Sequence, residues 1–362
     1  MIALVKRAFD AWRGSGPSAV TVPPMDGALR PNQAIEEAPV LLEIAAPDNL
    51  VHDGTRLLFS SGSTVYAMKA TGTESVAAFD RPVSALALHP GGAMAIGLEG
   101  RGLELRGGQH DGKVITELGG RPVLCPTALL FTDENTLLVA LGSQQNAPER
   151  WKHDLMQRNA SGSVWQVDLT NGKATCFADR LAYPYGLLAA GDGGVVVSES
   201  WRNQLIRIHP NRKPKVELSD ISGYPARLAP TADGAGSWLA VFAPRSQLLE
   251  FVLHEPDYCD QMIQEIDPQF WIAPSLSATQ SFLEPMQLGG LKQLGILKPW
   301  APTRSYGLVV NLDGAFEPQV SFHSRADGRR HGITSCVEVS GRLLATSKGG
   351  NAIVSIPLAA GV

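Results

Sequence analysis

The sequence has no uninterrupted apolar run of about 18 residues, so no membrane-spanning helix is expected. It also lacks a basic stripe. Lys and Arg number 31 against 35 Asp and Glu, for a formal charge of −4, so a nucleic-acid partner would find no attracting surface. Cysteine is scarce. Cys125, Cys176, Cys259 and Cys336 lie far apart with no CxxC, which argues against a zinc site and implies no disulfide framework. Reduced, buried thiols and a cytoplasmic location are expected instead. GxSxG, HExxH, GxGxxG and the phosphate-binding loop are all missing, which removes the common serine-hydrolase, zinc-peptidase and nucleotide-binding classes.

Glycine (37) and proline (25) are plentiful and spread along the 362 residues, as in a chain of short strands joined by turns. A turn followed by an apolar strand recurs at "VHDGTRLLFSSG", "LHPGGAMAIGLEG", "FTDENTLLVALG", "AAGDGGVVVSES", "PTADGAGSWLAVFA" and "EVSGRLLATSKG". Each is followed by a second strand candidate: "STVYAM", "GLELR", "GSVWQVDL", "NQLIRI", "QLLEFVL" and "NAIVSIPL". A repeat of about 40 residues carrying four strands is the signature of a propeller blade, and six occurrences predict an all-β, six-bladed β-propeller. Two gaps between repeats are longer. One holds an insertion near residues 143–162, rich in Trp, Lys, His and Arg. The other, near 254–304, precedes the last blade and has helix-like pieces such as Tyr258–Ile266. It lacks strand alternation, which argues against a hidden seventh blade.

Residues 1–37 are read as a short amphipathic N-terminal helix followed by a wrapping segment, and 38–362 as the propeller. The helix, in "MIALVKRAFDAWRGSG", either docks on the body or touches a membrane surface. The strand-like "APVLLEI" is positioned to pair with the C-terminal blade, which would close the ring and remove an exposed edge.

Several stretches, taken together, carry a family likeness: "YPYGLLAAGDGGVVVSESWRNQLIRI", "SGYPARLAPTADGAGSWLAVFAPRS" and "HGITSCVEVSGRLLATSKGGNAIVSI". From about Ala38 to Leu358 the chain resembles the strictosidine-synthase-like family, within the six-bladed group that includes paraoxonases and gluconolactonases. That resemblance implies a central tunnel with a site at one mouth. In the calcium-dependent members, loops before the inner strands supply oxygen ligands to one cation. The matching positions here are Asp48 in "APDNL", Thr127 in "LCPTALLF", Tyr185 in "YPYGL" and Ala226-Arg227 in "GYPARL". Only Asp48 retains a carboxylate, so no bound metal and no other cofactor are expected. Thr334 stands where strictosidine synthase carries its catalytic Glu, and Glu338 is about 13 Å further along a strand, so that condensation is not expected either.

The resemblance puts His331 at the tunnel mouth, where an imidazole with a pKa near neutrality suits a general base. A loop histidine bonded to backbone is the competing reading. Arg227 is read as taking the place of the metal beside Asp48, with Tyr185 closing the pocket, or as turning out to solvent. His153 and Trp151, in the first insertion, are read as parts of a lid or as a surface turn anchored by the indole. The expectation is therefore a small-molecule hydrolase of lactonase or esterase type, with His331, Asp48 and Tyr185 catalytic and Arg227, Thr127, Thr334, His153 and Trp151 binding ligand. Its substrate would be anionic or carbonyl-bearing. The alternative is a propeller that binds a ligand or scaffolds without catalysis.

Overall fold

The computed structural model describes residues 20–70, 72–210, 212–278, 284, 292–293, 296–297 and 303–358. The expected N-terminal helix falls on residues 1–16, outside the described residues. Six four-stranded antiparallel sheets are present among the described residues. Their innermost strands are Pro47–His52 in blade 1, Val83–Leu88 in blade 2, Pro126–Asp133 in blade 3, Pro184–Ala189 in blade 4, Gly223–Pro230 in blade 5 and Ile333–Val339 in blade 6. Each packs on the innermost strands of its neighbours, and blade 6 meets blade 1 to close a ring.

The recurring turn residues supply local geometry at the hairpins between first and second strands. Asp53 Oδ1 accepts the backbone N–H groups of Thr55 and Arg56. Asp192 and Asp233 likewise accept from Gly194 and Ala235. Such Asx turns are built from residues adjacent in sequence and set the hairpin's local geometry. The second strands, for example Met94–Leu98 and Val195–Glu199, are buried throughout because blades cover both their faces. The fourth strands, such as Gly72–Ala78, are mostly exposed. Each blade–blade interface has its own apolar cluster, as between blades 2 and 3, where Leu103 and Leu105 meet Leu137 and Val139.

Ring closure follows the expectation. Val40–Glu43 is the outermost strand of blade 6 and pairs antiparallel with Ala352–Pro357, Val40 opposite Val354 and Glu43 opposite Ala352. The segment before it runs along blade 5. The Asn32 amide donates to Ser321 O and accepts from His323 N, and Glu36 accepts the backbone N–H groups of Arg329 and Arg330.

One expected strand is a helix. "QLLEFVL", expected as the strand that follows the turn-strand unit, is helical over Gln247–Val252, with Ser246 Oγ accepting the N–H of Leu249 at its N-terminus and Leu249 and Val252 buried. The i, i+3 spacing of those two residues, the serine cap and the helix-forming Gln, Leu and Glu residues outweigh the β propensity of Phe251 and Val252. The third strand of blade 5 is Leu308–Leu312, so the long insertion opens inside blade 5, between its second and third strands. The first insertion occupies the same place in blade 3, with the short helix Trp151–Met156. Connections between second and third strands share the face on which the innermost strands begin. The described parts of both insertions therefore start and end on that face.

Candidate functional site

The antiparallel register of the innermost strand slips near its start in all six blades. The slips fall at Asp48–Val51, Val83–Ala85, Pro126–Ala128, Pro184–Gly186, Tyr224–Leu228 and Ile333–Ser335. The residues inside or beside these bulges are Asp48, Ser84, Thr127, Tyr185, Arg227 and Thr334. A bulge frees one residue from the ladder and re-aims it. Here it turns side chains or carbonyls toward the axis. In blade 1 Asn49 adopts a left-handed φ of 54°, its N–H donates to Asp48 Oδ1 at 2.8 Å, and its amide holds Ser60 Oγ and Val83 O. In blade 4 Gly186 permits close approach to blade 5, since a Cβ there would meet Ala226 O at 2.6 Å.

Asp48 is buried and its carboxylate is fully engaged. Oδ1 accepts from Arg227 Nη1 at 2.7 Å and from Thr334 Oγ1 at 2.8 Å, and Oδ2 accepts from Lys348 Nζ at 2.8 Å. Burial by itself would raise the Asp48 pKa, but the charges of Arg227 and Lys348 and the hydrogen bonds hold it well below the usual carboxylate range. Lys348 is raised above its ordinary value, because Asp48 outweighs the opposing effect of burial.

Above this floor lies a cavity of about 340 Å³. One wall is aromatic: Trp151, Tyr183, Tyr185, Trp201 and Phe242. Tyr183 stacks on Trp201 at 4.4 Å between centroids, and Trp151 meets Phe242 edge-on at 5.5 Å. Tyr183 holds a left-handed φ of 56° although bulky, a conformation that the packed wall must enforce. Trp201 Nε1 donates at 2.8 Å to buried Asp154 of the first insertion, which ties that insertion to the wall. Glu99 and Glu149 also line the cavity. Burial and then the hydrogen bond and negative charge of Glu149 push the Glu99 pKa up to about 7.

Of the residues expected at the site, Asp48, Thr127, Tyr185 and Trp151 line the cavity. Thr127 Oγ1 is committed to the carbonyls of Pro184 and Ala140. Arg227 and Thr334 lie beneath the floor and do not line it. The guanidinium turns inward, not to solvent, with its side chain 12% exposed. His331 is not at the mouth. It is fully buried, with Nδ1 2.7 Å from Ser305 Oγ and Nε2 2.7 Å from Arg325 O, and burial lowers its pKa. With both nitrogens engaged it has none left to accept a proton from a substrate or water. His153 is also outside the cavity, its ring edge against Trp271 at 4.7 Å.

Lys348, Glu99 and Glu149 were missed. Lys348 and Glu99 occupy one repeat position, the residue just after a second strand and before Gly349 or Gly100. Superposing the repeats on one another would have exposed that position. Glu149 comes from an insertion and has no counterpart to align. Among the described residues, no group of three His, Cys, Asp or Glu side chains is arranged to hold a metal.

No protein-family model matches the chain, and no curated protein matches it significantly. Solved structures do. A gluconolactonase from Xanthomonas campestris matches at 12% identity and TM-score 0.53, over 90% of this chain and 89% of that one. A putative gluconolactonase matches at 12% and 0.52, over 89% and 91%. The calcium-binding protein regucalcin from Agrobacterium tumefaciens matches at 14% and 0.49, over 93% and 95%. The chain has the six-bladed fold of the gluconolactonase-type propellers. At these identities the likeness covers fold alone. Among the described residues no helix is long and apolar enough to cross a membrane.

Proposed function

We propose that the cavity is the active site of a metal-independent hydrolase of lactonase or esterase type. The observation that carries this reading is that one small cavity is lined by a cation, Lys348, and by a half-buried carboxyl, Glu99, whose pKa is raised by burial and by the neighbouring Glu149. Lys348, 31% exposed, keeps N–H donors for the cavity beyond the one that Asp48 accepts. It would hold the substrate carbonyl oxygen and stabilise the oxyanion formed on attack. Glu99, with its pKa near 7, would take a proton from the attacking water. As the new C–O bond forms and the ester C–O bond breaks, the same proton passes to the departing alkoxide. Tyr183, Tyr185, Trp151, Trp201 and Phe242 would pack against the apolar body of the substrate and exclude bulk water. A carbonyl compound, neutral or anionic, fits this arrangement.

The finer placement in the strictosidine-synthase-like branch rests on the stretches quoted from the sequence. Thr334, bonded to Asp48 below the floor, offers no carboxylate for the condensation of that branch. Free cysteines suit the cytoplasmic location we assign.

The test is hydrolysis of a panel of lactones and aryl esters by the parent, Lys348→Met and Glu99→Gln. Lys348→Met is expected to lower kcat/KM by about 10²-fold or more. Glu99→Gln is expected to remove the inflection of the pH–rate profile near 7. A parent that binds such compounds at the cavity yet turns over none of them would establish the binding-only alternative.

A further inference from the structure

The bulges of the innermost strands converge on one group. Arg227 leaves blade 5 and its guanidinium reaches every other blade. Nη1 donates to Asp48 Oδ1 of blade 1 at 2.7 Å and to Thr334 O of blade 6 at 3.4 Å. Nη2 donates to Ser84 O of blade 2 at 2.7 Å and to Thr127 O of blade 3 at 3.0 Å. From blade 4 the Tyr185 ring lies 4.8 Å from Cζ. Nε, at the stem, has no hydrogen-bond partner, so the fit is made by the two terminal nitrogens.

The hydrogen-bond acceptors have one chemistry. They are a carboxylate oxygen and three backbone carbonyl oxygens, with an aromatic face beside them. Those carbonyls lie at or next to the register slips of their strands. Left facing one another around a buried carboxylate, they would repel and stay undersolvated. A cation with several N–H donors neutralises the carboxylate and satisfies the carbonyls together.

We propose that the propeller axis is a cation site whose cation is the chain's own Arg227, and that this guanidinium, not a metal ion, locks the six blades. The calcium implied by the family likeness does not fit here. The axis offers one carboxylate, and N–H donors of Arg227 and Lys348 already hold both its oxygens. The assignment is independent of whether the cavity above is catalytic.

Thermal unfolding of the parent and Arg227→Ala, each in chelator, tests it. The parent is expected to melt at the same temperature with chelator and with millimolar calcium chloride. Arg227→Ala is expected to melt lower by on the order of 5 °C or more. Low-millimolar guanidinium chloride should recover part of that loss by filling the vacated space, while sodium chloride at equal ionic strength should not. The proposal is overturned if Arg227→Ala melts with the parent, if guanidinium does not restore it, if calcium chloride added in place of chelator restores it as well as guanidinium does, or if the parent itself needs calcium. Should Arg227→Ala fail to fold, Arg227→Met and the triple variant Asp48→Asn/Arg227→Met/Lys348→Met decide. Removing all three charges, so that Lys348 is not left without Asp48, is expected to give a more stable protein than Arg227→Met alone, and a triple variant that folds no better overturns the proposal.

Discussion

Replacing Glu99 by Gln removes a titration while keeping the shape of the side chain. In the folded chain the carboxyl holds its proton up to about pH 7, against 4.5 for the ordinary group. Between those values the folded state binds more protons than the unfolded state, so stability falls as pH rises. The parent is at full strength below 4.5 and has lost the contribution once pH has passed through 7. At about 1.4 kcal/mol per pH unit a displacement of this size corresponds to about 3 kcal/mol for a fully buried group. Glu99 is only half-buried, and solvent screening reduces the effect to on the order of 1–2 kcal/mol. The variant lacks the titration, so its stability relative to the parent should climb by that amount between pH 4.5 and 8. Urea unfolding at fixed ionic strength across this range measures the difference directly. Glu149→Gln should shrink the climb, because the neighbouring charge and hydrogen bond that help raise the Glu99 pKa are gone. A difference that stays flat with pH would refute the reasoning, since the carboxyl would then titrate alike folded and unfolded.

Trp201→Phe keeps an aromatic ring, smaller than the indole, and removes the donor to Asp154, which is fully buried. It is expected to cost about 1–3 kcal/mol in urea unfolding, and no loss would show that the insertion is held otherwise. Trp151→Ala should weaken binding of ring-bearing ligands at the cavity by about 10-fold, read by calorimetry, and should also lower the melting temperature, because the indole packs on Phe242 and Trp201. Deleting residues 1–43 removes the strand that closes blade 6 and bares the edge of Ala352–Pro357. Self-association on size exclusion is the expected result.

Repeat spacing and turn chemistry were enough to count the blades and to foresee the closing strand. Both are local signals: an Asx turn at Asp53, Asp192 or Asp233 forms from neighbours in sequence, and strand alternation follows from the period of the pleat. The one misread strand, at Gln247–Val252, lies where the repeat is interrupted and local helix signals compete with β propensity. Asp48, Thr127, Tyr185, Arg227 and Thr334, near the starts of five inner strands, were named from the family resemblance, and the structure places them around one axis; Ser84, at the matching place in blade 2, was not named. What those side chains face could not be read that way. Whether Arg227 turns inward depends on carbonyls of Ser84, Thr127 and Thr334, 143, 100 and 107 residues away. The acid pair joins Glu99 of a blade to Glu149 of an insertion, and His331 is occupied by partners that only packing supplies. Sequence determines the period and the turns because those interactions are short-range. Charge pairing across the axis was decided by ring closure, which brings distant backbone into contact and removes the water that would otherwise screen it.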